Sequence, residues 1–331
     1  MVYESKAAGA LLSTTDSRAT LQDIYDPILR DSQNNAATFY NLNRQEPNTG
    51  DYARWVIRSA RNSSIGSGGE LADVSSGRQE RVKVSTLIKK NYAFVEVSDF
   101  EYAAYQTGGV FPEDIFTQEV RLASEDLLAG GANTATGKQG VDYQLFRDGT
   151  GNSSQDMLGL SAWVDDGTNN GAVATIAGVT RSATNAYMNA GLINTTTAAL
   201  APSHLRALIT QAETNGSRLD QLIFVTTPAL KASMLALQTP AQRFVTTDAK
   251  FGFRHLKEVP TFDDIPIYTD RHAEAGKIYL LDASTWAIRQ LRPMHYEDMA
   301  KTATSRKGKI ALYAELICYN PNKNYVSTNK S

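Results

Sequence analysis

The stretch that most constrains this chain is "WVIRSARNSSIGSGGELADVSSGRQERVKVSTLIKKNYAFVEVS", Trp55 to Ser98, where two strand-like runs flank a middle with almost nothing to bury. In the second run, Arg81 to Val97, the residues Val82, Val84, Thr86 and Ile88 alternate with Arg81, Lys83, Ser85 and Leu87. That is the two-residue period of a strand with one wetter face. Arg54 to Arg58 supply the first run. The join, about Ser59 to Glu80, carries Gly66, Gly68, Gly69 and Gly77 with six serines, so the pattern predicts a long hairpin with a mobile tip. About twenty residues without regular structure are uncommon in a compact domain and mark either function or disorder. A plain surface loop is one reading, and an arm that becomes ordered only against a neighbour is the other.

The rest of the composition is that of a globular protein: 331 residues, 42% hydrophobic and 21% charged, enough for two or three lobes around a sizeable core. No apolar run reaches the ~18 residues of a membrane span. The first residues, "MVYESKAAGALLSTTDSR", have neither the basic region nor the apolar core of a signal peptide, so the expectation is a protein that folds in a cytoplasm. Cys318 is the single cysteine and sits in an apolar run, which predicts a buried, inert thiol. The net charge of −2 argues against a protein whose task is to grip nucleic-acid phosphates. There is no basic arm either: Lys6, Arg18, Arg30 and Arg44 face Glu4, Asp16, Asp23, Asp26, Asp31, Glu46 and Asp51.

Along the chain, residues 1 to about 50 place Leu21, Ile24, Ile28 and Leu29 near one helical face despite Pro27, and read as an arm lying across something else. A helix is marked over 112–129. Pro112 suits its first turn, Glu113 and Asp114 its positive end, Phe116, Val120, Ala123 and Leu127 its buried stripe, and Gly130 and Gly131 its stop. Its exposed side is acidic, with Glu113, Asp114, Glu119, Glu125 and Asp126 against Arg121 alone. From about Gly137 to Ala201, short apolar pieces such as "MLGLSAWV" predict short strands and long loops. A helix follows with Leu205, Leu208, Ile209 and Ala212 on one face and Asn215 and Gly216 as its stop, then a buried strand, "LIFV", and a helix opened by Pro228. Strand-like runs come at Ile265–Thr269, Lys277–Leu281, Trp286–Leu291 and "GKIALYAELICYN", where Ile310, Leu312, Ala314, Leu316 and Cys318 share one face. The chain is α+β, with no internal repeat.

Chemistry is hard to find. His204, His255, His272 and His295 lie far apart in sequence, with no spacing that puts two ring nitrogens on one zinc. "GSGGE" lacks the Lys and hydroxyl of a phosphate-cradling loop. "DDGTNNG", Asp165 to Gly171, has Ile176 where a calcium loop needs a bidentate Glu, so it reads as a polar turn. The neighbours Asp263 and Asp264, and Glu297 and Asp298, read as solvated groups rather than a glycosidase pair. No catalytic, cofactor or metal residue is nominated.

The order of features resembles the major capsid proteins of tailed bacteriophages with the Hong Kong 97 type fold. The phrases "LFRDGTGNSSQDMLGLSAWV", "RLDQLIFVTTPALKASMLAL" and "KIYLLDASTWAIRQLRPMHYEDMAKTATSRKGKIALYAELICYNP" look like those of phage head proteins. The resemblance implies an N-terminal arm (1–51), an E-loop hairpin (52–97), a peripheral domain with its spine helix (98–150), an axial domain (151–260) and return strands (261–331). It implies a non-enzymatic subunit of an icosahedral virion shell, assembled in the bacterial cytoplasm as hexamers and pentamers. The implied partners are further copies of itself, a portal, scaffolding and decoration proteins, and packaged double-stranded DNA held by weak contacts, with no membrane and no cofactor. An encapsulin-like compartment, and more distantly a hydrolase or carbohydrate-binding module, are the alternatives. In the family the E-loop lies over the adjacent subunit. The intersubunit contacts expected here are therefore the basic hairpin residues Arg54, Arg58, Arg61, Arg78, Arg81, Lys83, Lys89 and Lys90, set against the acidic helix residues Glu113, Asp114, Glu119, Glu125 and Asp126. Some relatives cross-link Lys to Asn between subunits. Lys83, Lys89 and Lys90 lie in the right region, but no partner Asn or assisting acid is identifiable, and no cross-link is expected.

Overall fold

There are four early strands, β1 (Arg44–Pro47), β2 (Tyr52–Ala60), β3 (Glu80–Leu87) and β4 (Lys89–Ser98), the last three showing period-two alternation. The structure, a computed structural model, describes residues 38–67, 77–108, 114–130, 139–237, 260–300 and 304–330. β2 and β3 pair antiparallel from Tyr52 opposite Leu87 to Arg58 opposite Arg81. One face of this hairpin buries Ala53, Trp55, Ile57, Val84 and Thr86. Trp55 packs 5.8 Å from Trp163 and 6.4 Å from Tyr319, ring centre to ring centre. The hairpin strands thus belong to their own chain's core, and regular structure stops only beyond Ala60 and before Glu80. Part of the expected tip, residues 68–76, lies outside the described residues.

The run Arg81 to Val97, expected as one strand, is two. Buried positions fall on even numbers in β3 (Val84, Thr86) and on odd numbers in β4 (Asn91, Val95, Val97), so the alternation changes phase between them. Ile88 is the one residue at the break, and its N–H donates to the Asp51 carbonyl at 2.8 Å, closing the hairpin base. Beyond it, β4 joins a different, four-stranded sheet in the order β1, Trp286–Asp298, Ser305–Cys318, β4.

In that sheet the 305–318 strand is central and antiparallel to both neighbours, while β1 runs parallel to the 286–298 strand. The 286–298 strand is longer than the expected Trp286–Leu291, continuing through irregularities between Gln290 and His295. Ile310, Leu312, Ala314, Leu316 and Cys318 are fully buried as expected, but so are Ala311, Glu315 and Ile317, because this strand is covered on both faces. The helix Ile115–Ala129 lies on the sheet, packing Phe116 and Val120 against Val95, Val97 and Ile310. It begins with Asp114 as N-cap rather than at Pro112, and its 15 residues span about 22 Å. Pro112, Glu113 and Gly131 lie outside the described residues. A helix the sequence reading did not anticipate, Asp99–Gly108, precedes it.

The end of the expected N-terminal arm is built into the core. Thr38–Leu42 is a short helix, Phe39 and Tyr40 are buried, and the Phe39 ring lies 5.0 Å from Phe146. The arm's candidate helical face at residues 21–29 lies outside the described residues.

A six-stranded sheet builds the other half: Leu192–Asn194, Tyr325–Ser327, Ile278–Asp282, Leu222–Thr226, Ile265–Thr269 and Thr261–Phe262 in spatial order. The helix Pro202–Thr214 buries Leu205, Leu208, Ile209 and Ala212, and ends at Asn215 and Gly216, whose φ is +70°. Thr227 caps the helix Pro228–Ala236, its hydroxyl accepting from the Leu230 N–H at 3.2 Å. Asp263 and Asp264 have φ of +46° and +65° and form the two-residue turn of a hairpin, so their conformation serves the backbone.

The segment 139–190 departs most from expectation, because "MLGLSAWV" contributes the short helix Leu160–Trp163 rather than a strand. What orders it is a buried ion pair: Arg181 and Asp165 have no side-chain exposure and meet at 3.3 Å. The guanidinium also donates to the carbonyls of Ala162, Trp163, Val173 and Met188. Asp165 accepts in turn from the amides of Asn170 and Val173. Burial pulls the Arg181 pKa down, and the Asp165 charge opposes the shift.

Candidate assembly surface

The outer face of the hairpin carries Tyr52, Arg54, Val56 and Arg58 on β2, and Arg81, Lys83 and Leu87 on β3, all exposed. Strand alternation places them there, because the opposite positions are committed to the core. Val56 is 58% exposed and Leu87 44%, so two large apolar side chains stand among cations. Arg61 and Arg78, beyond the strand ends, are exposed as well. Among the described residues none of Arg54, Arg58, Arg61, Arg78, Arg81 and Lys83 has an ion-pair partner, although Arg54 sits 5.8 Å from the Tyr52 ring centre.

Lys89 and Lys90 do not belong to this face, because the chain has already crossed into the four-stranded sheet, opposite Ala314 and Tyr313. The Lys89 ammonium donates to the Ser154 carbonyl at 2.6 Å. That of Lys90 lies 5.8 Å from the Tyr92 ring centre and 5.7 Å from that of Tyr313.

On the helix Ile115–Ala129, Glu119, Glu125 and Asp126 are exposed on the side away from Phe116, Val120 and Leu127. Leu122, 43% exposed, sits between them at helical spacing. Asp114 is engaged within the chain: it accepts from the Thr117 hydroxyl at 3.3 Å and faces Arg306 at 3.9 Å. Arg306 in turn lies 4.1 Å over the Phe116 ring. The structure therefore separates the nominated acids into an open set and a capped one.

Sequence reasoning named the charges, put Leu87 on the wetter face without giving it a role, and passed over Val56 and Leu122. Their signal was present, since each is an apolar residue out of phase with its element's buried set. Elsewhere, Asp166 accepts from the amides of Thr168 and Asn169 at 2.9 Å, as a polar turn should. Burial pushes the Cys318 thiol up to about 12. Among the described residues no group of three or more His, Cys, Asp or Glu side chains is placed to hold a metal, and no helix is long and apolar enough to cross a membrane.

Residues 11–330 match the family described as SU10 major capsid protein. No curated protein matches the sequence significantly. Among solved structures, the capsid asymmetric unit of cyanophage A-1(L) superposes with a TM-score of 0.69 at 14% identity, over 88% of this chain and 92% of that one. The capsid of a native GTA particle gives 0.61 at 10% identity, over 89% and 91%. The holo-SrpI encapsulin complex from Synechococcus elongatus PCC 7942 gives 0.58 at 13% identity, over 100% and 93%.

Proposed function

The chain belongs to the SU10 major capsid protein family, and from that premise we propose how it builds a shell. Its role is structural, as a capsid subunit, and its α+β fold is of the Hong Kong 97 type. In this reading it associates with itself as hexamers and pentamers, closes an icosahedral phage head around double-stranded DNA, and does so in the bacterial cytoplasm. The role asks no catalysis of it. Portal, scaffolding and decoration proteins are its further partners, and a net charge of −2 suits a wall that DNA touches weakly.

Within the subunit, residues 1–51 act as the arm, the hairpin as the E-loop, 98–150 as the peripheral domain, 151–260 as the axial domain and 261–331 as the return strands. Of the stretch 52–97 assigned to the E-loop, β2 and β3 pair with each other and β4 pairs in the four-stranded sheet, so in this reading β2 and β3 are the part that reaches the neighbour.

The observation that carries the intersubunit reading is the outer hairpin face: cations with no ion-pair partner among the described residues, grouped around exposed Val56 and Leu87. The open acids Glu119, Glu125 and Asp126 around Leu122 have the complementary composition, so the hairpin of one copy lies against the 115–129 helix of the next. Such charges steer association and fix register more than they add affinity. Expressing the chain alone, with light scattering on a sizing column and negative-stain electron microscopy, tests self-assembly. Shells, tubes or ring-shaped capsomers are expected. A monomer of 36.1 kDa at every salt and protein concentration, with scaffolding protein supplied as well, would overturn it.

A further inference from the structure

Two buried carboxyl groups have no part in the assembly surface. Asp142, in the short helix Val141–Gln144, is 1% exposed, and Asp270, just after the strand Ile265–Thr269, is 3% exposed. Each accepts from one of two consecutive backbone amides, which sets the two carboxyls side by side. Two ionised carboxylates in so dry a site repel strongly, so the stable arrangement holds one proton between them.

The same pair grips consecutive backbone amides. The Phe39 N–H donates to Asp270 Oδ2 at 3.2 Å, and the Tyr40 N–H to Asp142 Oδ1 at 3.1 Å. Both amides lie in the first turn of the Thr38–Leu42 helix, where the backbone N–H groups lack an intrahelical partner. The acids are therefore the cap of this turn, at the point where the preceding N-terminal residues join the core.

The charged and titratable groups around the pair are largely occupied elsewhere. Arg271 donates to the Ala129 carbonyl at 2.5 Å, at the end of the 115–129 helix. His272 gives its backbone N–H to Asp270 Oδ1 at 2.7 Å and bonds the same Ala129 carbonyl through Nε2 at 2.9 Å. Arg147 lies over the Tyr143 ring, which meets the His272 ring edge-on. The Tyr40 hydroxyl accepts from Gln290 Nε2. Burial, the hydrogen bond from Asp270 and its charge raise Asp142 to about 9, while the Tyr40 amide and the Arg271 charge oppose the shift.

We propose that Asp142 and Asp270 form a proton-operated latch on the root of the N-terminal segment: it holds Phe39 and Tyr40 while the pair shares a proton and lets them go when that proton is lost. The sign follows from the raised carboxyl. Ionisation works against the closed state, so the latch is tightest in acid, loosens as pH rises, and has lost this contribution entirely above about 9. Phe39 and Tyr40 pack in the same core as Trp55 and Val84, whereas the exposed outer face of the hairpin has no part in the latch.

Amide hydrogen exchange on the intact protein, between about pH 7 and pH 10 and corrected for intrinsic base catalysis, tests the latch. The expected result is a loss of about tenfold or more in protection at Phe39 and Tyr40, with the amides of Leu222–Thr226 unchanged. Asp142→Asn, whose amide still accepts from Tyr40 and can donate to Asp270, should keep its protection to the upper pH. No loss in the parent protein, or the same loss in Asp142→Asn, overturns the latch. Should Asp142→Asn fail to fold, Asp270→Asn repeats the comparison from the other side: retained protection supports the latch, and a loss equal to the parent's overturns it.

Discussion

Arg58 on β2 stands directly opposite Arg81 on β3, two like charges facing each other across the outer side of the hairpin. Directly opposed like charges weaken a strand pair by roughly 0.2–1 kcal/mol. Among the described residues no acid relieves this one, so the pair costs the lone subunit stability.

Reversing Arg58 separates the two roles. Arg58→Glu makes an attractive cross-strand pair with Arg81, so the unassembled subunit should melt no lower than its parent. Combined with Arg61→Glu, it should slow assembly and flatten its dependence on salt. Turbidity or light-scattering time courses at two ionic strengths measure this, and unchanged assembly with unchanged salt dependence would show that the basic face is not a docking surface.

Trp55 is the anchor of the hairpin on its own core. Trp55→Ala should cost about 3–5 kcal/mol, the usual range for emptying a large aromatic site. It should also open the segment around Ala60 to protease before the rest unfolds. Denaturant midpoints and timed proteolysis check the two halves of the expectation.

The Arg181–Asp165 pair predicts non-additivity. Arg181→Met leaves a buried, uncompensated carboxylate and should cost about 3–5 kcal/mol, as should Asp165→Leu for the opposite reason. The double variant should lose less than the sum of the two. Chemical denaturation of the set measures the coupling, and a strictly additive result would mean that the loop is held by its backbone alone.

Glu315 gives a pH dependence. It is fully buried, one oxygen accepts from the Leu158 amide at 2.7 Å, and burial raises its pKa well above the ordinary carboxylate value. A raised carboxyl stabilises the fold most below its unfolded pKa of about 4.3, and that contribution is lost as pH rises towards the folded value. Glu315→Gln should therefore match the parent in acid and melt higher at about pH 9. Melting temperature against pH decides this, and parallel curves would refute it.

Elements with uninterrupted apolar periodicity were legible from the sequence. The 202–214 helix buries the four residues its spacing nominated, and the 222–226 strand is buried throughout. The break at Ile88 was not legible, because a change of phase between two alternating strands looks like one long alternation unless the partners are known. Arg181 and the Asp142–Asp270 pair were invisible for a different reason. A charge in a polar stretch reads as solvated until the fold shows that carbonyls or another acid converge on it. Of the proposed surface, the sequence places the cations of β2 and β3 on the exposed face of the hairpin, groups with them Lys89 and Lys90, which lie in the four-stranded sheet instead, and gives no role to the apolar residues standing among the cations.

Ile88 ties two registers together. With a single residue between β3 and β4, a slip of one position in the hairpin would turn Val84 and Thr86 out of the core and drag Val95 and Val97 out of the neighbouring sheet with them. The error is refused twice, by two separate packing surfaces. The two surfaces therefore hold Arg58 and Arg81 at one fixed height above the sheet, and in the docking proposed above the hairpin would work as a ruler rather than a tether. A lattice that repeats one edge many times accumulates any variation in spacing, and a ruler of this kind keeps that variation from arising.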